Sequence, residues 1–245
     1  MKKKVVLITG ASRGIGRATA ILASKKGFKV GINYINNKVL AEKTLIDIKN
    51  IGGDAILLKG DISKEKDVDS IFSKLELKFG KVNYLVANAG LIPKRKEFHE
   101  TSFNQIKKSI NINFTGVIYC VHRFANSSQN AHKERSIVLL SSEAARFGGN
   151  KISTYAACKS AINTFAVGMA RELGPMGIRI NCVSPGTILT DGLKSEGKTV
   201  LESIKQTIPL GRIGSPNEAA ETIIWLLSNK SSFVSGSTIT VSGGR

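Results

Sequence analysis

Seven short runs of apolar and β-branched residues punctuate the chain, at residues 4–9, 28–34, 55–59, 82–87, 136–141, 178–183 and 238–241. Runs such as Val5-Val6-Leu7-Ile8 and Ile137-Val138-Leu139-Leu140 are apolar at every position rather than at every second one. Strands of that kind are covered on both faces, as in a parallel sheet with helices packed above and below it. Most intervals between the runs hold ten or more residues with the three- and four-residue spacing of an amphipathic helix. Strand and helix in alternation predict an α/β protein, a doubly wound parallel sheet with crossover helices. No repeat, low-complexity tract or Pro/Gly-rich linker divides the 245 residues, so one domain spanning 1–245 is expected. The least regular stretch, residues 187–212, is expected to be a mobile segment on the substrate side.

The first run stops at Thr9, and glycines follow at Gly10, Gly14 and Gly16 before a helix-forming stretch. Absent side chains at such a strand-to-helix turn let backbone N–H groups and the helix N-terminus approach a pyrophosphate. The spacing Gly-x-x-x-Gly-x-Gly differs from the Gly-x-Gly-x-x-Gly fingerprint. Alone, it equally describes a turn that packs a helix on a sheet.

A second constellation lies between residues 141 and 173. Tyr155, Lys159, Ile162, Ala166, Met169 and Leu173 follow one another at steps of three and four, one face of a helix, so Lys159 is expected to point inward. A buried ammonium needs a chemical reason. Bringing a tyrosine from its ordinary pKa to neutrality, about 3 pH units, takes about 4 kcal/mol, and one ammonium about 4 Å away supplies roughly that at an effective dielectric of ~20. Ser142, just past the fifth run, is expected at the carboxyl end of the sheet, where ligands bind in open α/β folds. Its hydroxyl could polarise a carbonyl, although Ser141 or Ser142 could equally be an ordinary strand-end hydroxyl.

Charge is the unusual feature: 36 Lys plus Arg against 18 Asp plus Glu leave a net +18. Such a surplus draws anionic partners at low salt. The lysines are scattered over single helix-face positions and aromatics are few, which argues against a specific nucleic-acid binder. Lys94-Arg95-Lys96, after the fourth run, is the cluster closest to the expected substrate rim. No window approaches the ~18 consecutive apolar residues of a membrane span, and the first residues run into the glycine turn without a cleavage-type segment. A cytoplasmic protein is expected. Cys120, Cys158 and Cys182 are too far apart for paired metal ligands and are expected to be reduced core thiols, with no metal site.

Thr9-Gly10-Ala11-Ser12-Arg13-Gly14-Ile15-Gly16, Asn88-Ala89-Gly90, Asn113, Ser142, Tyr155-x-x-x-Lys159 and Pro185-Gly186 together resemble the short-chain dehydrogenase/reductase family, in its order and across essentially the whole chain. The resemblance implies a single Rossmann domain with a seven-stranded parallel sheet, and hydride transfer between a nicotinamide and a carbonyl or alcohol. It implies that Tyr155 is the acid in reduction, that Lys159 lowers its pKa and holds the nicotinamide ribose, that Ser142 positions the carbonyl, and that Asn113 holds a water of the proton relay. Asn88, Ala89 and Gly90 would support the central strand and the adenosine side, Asp61 and Ile62 would meet the adenine, and Pro185, Gly186, Ile188 and Thr190 would line the nicotinamide. Ala87 departs from the pattern, where many members have a second asparagine. The stretch IPLGRIGSPNEAAETIIWLLSN and the terminal VSGG are most similar to 3-oxoacyl-[acyl-carrier-protein] reductases and glucose dehydrogenases, which these motifs do not divide.

Cofactor choice has local evidence. The end of the second run, Gly31-Ile32-Asn33-Tyr34-Ile35-Asn36-Asn37-Lys38, lacks the acid that grips a ribose 2′-hydroxyl, which favours NADP(H) over NAD(H). Arg13 and Lys38 could meet a 2′-phosphate, and Asn33 could hydrogen-bond it. A basic surface would suit an acyl thioester, including one on an acidic acyl carrier protein; a sugar or polyol dehydrogenase and a non-catalytic NADP-binding regulator are the alternatives. The resemblance also implies a homotetramer. Ala156, Ala161, Phe165 and Val167 leave the Tyr155 helix little polar face, and Thr238–Val241 would be an open edge strand in a monomer.

Overall fold

The computed structural model describes residues 3–127, 135–190, 193 and 197–245. The seven apolar runs form seven strands: β1 (Val5–Ile8), β2 (Lys29–Tyr34), β3 (Ala55–Lys59), β4 (Tyr84–Ala87), β5 (Arg135–Leu140), β6 (Ile178–Pro185) and β7 (Thr238–Val241). They pair in the order β3-β2-β1-β4-β5-β6-β7, every pair parallel. Chain direction across the sheet reverses between β1 and β4, and a crevice at such a switch point is where an open α/β sheet binds ligands. The sixth strand runs two residues past its apolar stretch because Ser184 and Pro185 still lie beside Thr240 and Val241 of β7.

Nine helices accompany the strands among the described residues: α1 (Gly14–Lys25), α2 (Lys38–Asn50), α3 (Glu65–Phe79), α4 (Phe103–Ile110), α5 (Gly116–Asn126), α6 (Ala144–Phe147), α7 (Ser153–Leu173), α8 (Lys198–Gln206) and α9 (Pro216–Leu227). Alternate strand residues serve opposite faces, as a two-residue period dictates. Leu7, Leu85, Ile137 and Leu139 join a core with side chains of α3, α5 and α7. Val6, Ile8, Val86 and Val138 join the other, with α1 and α9. This is why the runs are apolar throughout. All three cysteines are buried and unpaired, and burial pushes Cys120 and Cys182 up to about 12, so these thiols stay protonated.

Two local devices matter for the site. Between α4 and α5 the chain makes one wide π turn, Asn111–Thr115, the kind of helical bulge that re-aims a side chain. After β6, Ile188 forms a parallel bridge with Gly214, and Leu189 N–H donates to the Gly214 carbonyl at 2.7 Å. Of the stretch expected to be mobile, residues 191, 192 and 194–196 lie outside the described residues. No helix among the described residues is long and apolar enough to cross a membrane.

Candidate active site

The glycine turn sits at the carboxyl end of β1, with Gly10 and Gly14 in the left-handed region at φ 62° and 57°. Gly16 is glycine for a different reason: a Cβ there would lie 2.5 Å from both Asn88 Nδ2 and the Gly10 carbonyl oxygen. Asn88 is the clamp. Its Nδ2 donates to the Thr9 and Gly10 carbonyls at 2.9 and 3.1 Å, while Thr9 Oγ1 accepts the N–H groups of Asn88 and Ala89, both at 3.0 Å. Thr9 opens the glycine motif in the sequence, but its part in this brace shows only in the structure, since a threonine ending a strand is commonplace.

Helix α1 begins at that turn with no side-chain cap from Arg13 and no acid in its first turn. Its first N–H groups therefore face outward with no side-chain acceptor and nothing to repel an anion, which fits the pyrophosphate of a dinucleotide. Thr190 comes back over the same place, its Cγ2 3.3 Å from where a Gly14 Cβ would stand. Arg13 is exposed at the turn, with Ser12 and Ile15 half-buried beside it.

The end of β2 corrects one expectation. Asn33 is buried, its Oδ1 accepts the Gly10 N–H at 3.2 Å, and its Nδ2 donates to the carbonyls of Leu58 and Gly60 at 3.1 and 3.0 Å. With both amide donors used, Asn33 is a strut joining β1, β2 and β3 and has no N–H to offer a phosphate. Tyr34 is buried too. Lys38 stands exposed at the start of α2, 3.4 Å from Glu42. At the end of β3, Asp61 Oδ1 accepts the Ser63 N–H and hydroxyl at 3.0 and 2.8 Å, and Ile62 is buried with its backbone against Gly116.

The chemistry-bearing group lies at the ends of β4 and β5. Tyr155 is only 7% exposed, and Ser142 is the side chain whose hydrogen-bonding influence on the phenol opposes the effect of burial. Ser142 Oγ also accepts the Ala144 N–H at 3.2 Å, whereas Ser141 donates to the Lys159 carbonyl at 3.2 Å. The two adjacent serines are thus separated: Ser141 braces α7 and Ser142 faces the tyrosine. Lys159 is buried as its helical stripe predicts, and its Nζ donates to the Leu140 carbonyl at 2.5 Å. A Cβ on Gly90 would stand 3.1 Å from Asn113 Oδ1 and 3.7 Å from Lys159 Nζ, so these three positions converge. Asn113, in the π turn, accepts the Leu91 N–H at 2.8 Å and donates to the carbonyls of Leu91 and Ser109 at 2.9 and 3.0 Å. Its amide is fully occupied in holding the Leu91 turn.

The resting state of the pair differs from the expectation: burial raises the Tyr155 pKa, and the influence that opposes it comes from Ser142. The lysine ammonium is bonded to the Leu140 carbonyl, 5.7 Å from the centre of the tyrosine ring, and burial brings its own pKa down to about 8. In both groups desolvation is the largest influence and disfavours the charged form. Ala156, expected on an open face, is instead buried, with Gly149 against its Cβ.

One further group was invisible as a pattern. Glu143, directly after Ser142, is a carboxylate only 5% exposed, and an acid at a strand end reads in sequence as a solvated residue. Among the described residues no cluster of three or more His, Cys, Asp or Glu could hold a metal.

At the mouth, the loop after β4 is clasped to the loop before α7. Arg95 Nη1 donates to the Asn150 carbonyl at 2.9 Å, Lys96 N–H to the Lys151 carbonyl at 3.2 Å, and Lys151 pairs with Glu97 at 2.7 Å. A pocket between these loops is lined by Lys94, Lys96, Phe98, Ile106, Lys151 and Thr154, the last beside Tyr155.

Comparison with known proteins agrees with this geometry. The family model described as Enoyl-(Acyl carrier protein) reductase matches residues 10–245. The oxidoreductase YgfF of Escherichia coli is 36% identical, covering 98% of this chain and 99% of its own. An L-rhamnose 1-dehydrogenase (NAD(P)(+)) of Sphingomonas is 35% identical over 100% of this chain and 96% of its own. The crystal structure of a 3-oxoacyl-[acyl-carrier protein] reductase from Brucella melitensis superposes with a TM-score of 0.92 at 32% identity, covering 99% of this chain and 91% of that one.

Proposed function

The chain belongs to the short-chain dehydrogenase/reductase family, nicotinamide-dependent oxidoreductases, and from that premise we propose that it is an NADP(H)-dependent reductase of 3-oxoacyl thioesters acting in the cytoplasm. The observation that carries the reading is the hydroxyl pair Ser142–Tyr155 beside buried Lys159, at the end of the sheet that holds the uncapped glycine turn. The bound nicotinamide supplies the hydride that goes to the carbonyl carbon. Ser142 donates a hydrogen bond to the carbonyl oxygen and holds it against Tyr155. As negative charge develops there, Tyr155 gives up its phenolic proton and the alcohol forms. Its raised pKa suits that step, because an acid must be protonated at working pH. Lys159, the nearest cation, stabilises the phenolate left behind.

The preference for NADP(H) rests on the missing carboxylate at the end of β2 and on exposed Arg13 and Lys38 beside the turn. Gly10, Ser12, Gly14, Ile15 and Gly16 would cradle the pyrophosphate, Asp61 and Ile62 the adenine, and Pro185, Gly186, Ile188 and Thr190 the nicotinamide, with residues 187–212 as the segment over the substrate. For the substrate, the lysines at the mouth and the apolar Phe98 and Ile106 suit a thioester with an anionic carrier and a greasy acyl group. Identity of 35% to an L-rhamnose 1-dehydrogenase supports a second reading, oxidation of a sugar. The test is NADPH consumption with acetoacetyl thioesters and small ketones beside NADP⁺ reduction with aldoses. Turnover of aldoses alone selects the second reading; tight NADPH binding without any turnover selects a regulator. We also propose a homotetramer, supported by exposed Phe103, Ile110 and Val167 on α4 and α7 and by the uncovered edge of β7; light scattering should give about four times the 26.3 kDa chain mass.

A further inference from the structure

Glu143 has no part in the reaction as just derived, yet its carboxylate joins three elements of the site. Oε1 accepts the Ser184 hydroxyl of β6 at 2.7 Å and the Thr240 hydroxyl of β7 at 3.2 Å. Oε2 is 3.3 Å from Arg146 Nη1, whose side chain is 63% exposed. The Glu143 N–H donates to the Pro185 carbonyl at 3.1 Å, and the residue just after β6, Gly186, donates its N–H to the Val241 carbonyl at 2.9 Å. A buried carboxylate is costly unless its oxygens are bonded, and here the deep bonds come from two neutral hydroxyls.

The segment around it rests on α7 and on its own turn hydrogen bonds, with no buried side chain of its own after Glu143. Helix α6 is a single turn of four residues, none of them buried, and Gly148 and Gly149 follow in the left-handed region at φ 81° and 59°. Ser142 stands at the head of that segment. We propose that Glu143 is a positioning residue: by holding Ser184 and Thr240 it sets the Ser142 hydroxyl against Tyr155 and against the Pro185–Gly186 turn.

The effect on turnover rests on the reductase reading; the effect on hydrogen bonding does not, and the experiment separates the two. In cofactor-free protein carrying ¹³Cζ-labelled tyrosine, the Tyr155 resonance is assigned with Tyr155→Phe, and Ser142→Ala marks its position when the Ser142 bond is lost. Glu143→Ala should move the resonance most of the way to that position, and the Ser184→Ala/Thr240→Val pair, which keeps the carboxylate, should do the same. Arg146→Ala should leave it in place. In turnover, Glu143→Ala should lower kcat by about 10- to 100-fold, the effect of an ångström-scale misplacement, with the KM for NADPH little changed, and Glu143→Gln should recover part of the loss. A folded Glu143→Ala, or a folded Ser184→Ala/Thr240→Val should the first not fold, with the Tyr155 resonance of wild type overturns the proposal. A shifted resonance in a protein that reduces no carbonyl counts against the reductase reading and leaves the positioning role standing.

Discussion

Replacing Lys159 by methionine should make the protein more stable near neutral pH while removing its activity. The Lys159 side chain is buried, and desolvation brings its pKa from 10.5 down to about 8, with weaker opposing pulls from Cys182 and Cys158. At about 1.4 kcal/mol for each pH unit between those values, keeping the ammonium inside costs the folded protein about 3 kcal/mol. Below pH 8 the lysine is charged in both folded and unfolded chains and the full cost stands. Between 8 and 10.5 the unfolded chain holds the proton that the folded one has released, so wild-type stability gains from this residue as pH rises. Above 10.5 both are neutral and the cost is gone. Methionine nearly conserves volume and carries no charge, but forfeits the hydrogen bond to the Leu140 carbonyl, about 1 kcal/mol. The variant should therefore be about 2 kcal/mol more stable than wild type at pH 7, and the advantage should vanish or reverse by pH 10.5. Urea unfolding at fixed protein concentration, followed through the single tryptophan, Trp225, gives both curves. Cys120 and Cys182, which favour the folded state below pH 9 and lose that influence toward 12, are present in both proteins; Cys120 cancels, and Cys182, whose pKa Lys159 lowers, enters the difference only above pH 9, so the comparison at pH 7 to 9 isolates Lys159. A difference that stays flat from pH 7 to 10, or a variant less stable at pH 7, refutes the reasoning.

Tyr155→Phe should abolish reduction and keep the fold and most NADPH affinity, since only the proton donor is lost; circular dichroism, cofactor fluorescence and steady-state rates check this, and substantial residual turnover would assign the donor elsewhere. NADPH should bind more tightly than NADH, and Arg13→Ala should narrow the gap, as read by fluorescence titration of both cofactors; equal affinities in wild type would contradict the reading of the β2 end. Gly16→Ala places a methyl 2.5 Å from Asn88 Nδ2 and the Gly10 carbonyl, so the clamp's two hydrogen bonds should give way. That predicts a loss of about 2–4 kcal/mol in urea unfolding together with failed NADPH binding, and an alanine variant that binds like wild type would show that the turn yields freely.

All seven strands were legible because each is covered on both faces, which leaves runs apolar at every position and hard to mistake; boundaries moved by no more than two residues, as at β6, where pairing with β7 carried the strand past its apolar part. Lys159 was legible for the opposite reason, a charge on an apolar helical stripe. The partner its ammonium takes was not, because spacing puts two side chains on one face without saying which acceptor the ammonium finds, and Leu140 supplies one at 2.5 Å. Glu143 escaped notice because an acid after a strand is ordinary; only the hydroxyls of Ser184 and Thr240, 41 and 97 residues further along, make it unusual.

Asparagines at the carboxyl edge of the sheet show where residue type alone misleads. Asn33, Asn88 and Asn113 all invite reading as ligand-binding amides, but each uses both Nδ2 donors on main-chain carbonyls: Leu58 and Gly60, Thr9 and Gly10, Leu91 and Ser109. A cleft at a topological switch point leaves strand-end carbonyls and turn N–H groups without ladder partners, and any that are buried must be satisfied. Side-chain amides do this well, since one group can bridge two segments. The result is a frame of asparagines that holds the glycine turn, the β3 exit and the π turn in register. Bonding capacity remains with groups the frame does not occupy: the first N–H groups of α1, the Ser142 and Tyr155 hydroxyls, and the exposed cations at Arg13 and Lys38. Those are the positions at which substitution should change ligand affinity or rate before it changes stability, whereas substitution of Asn33 should lower stability and cofactor affinity together, as the strut that holds the Gly10 N–H gives way.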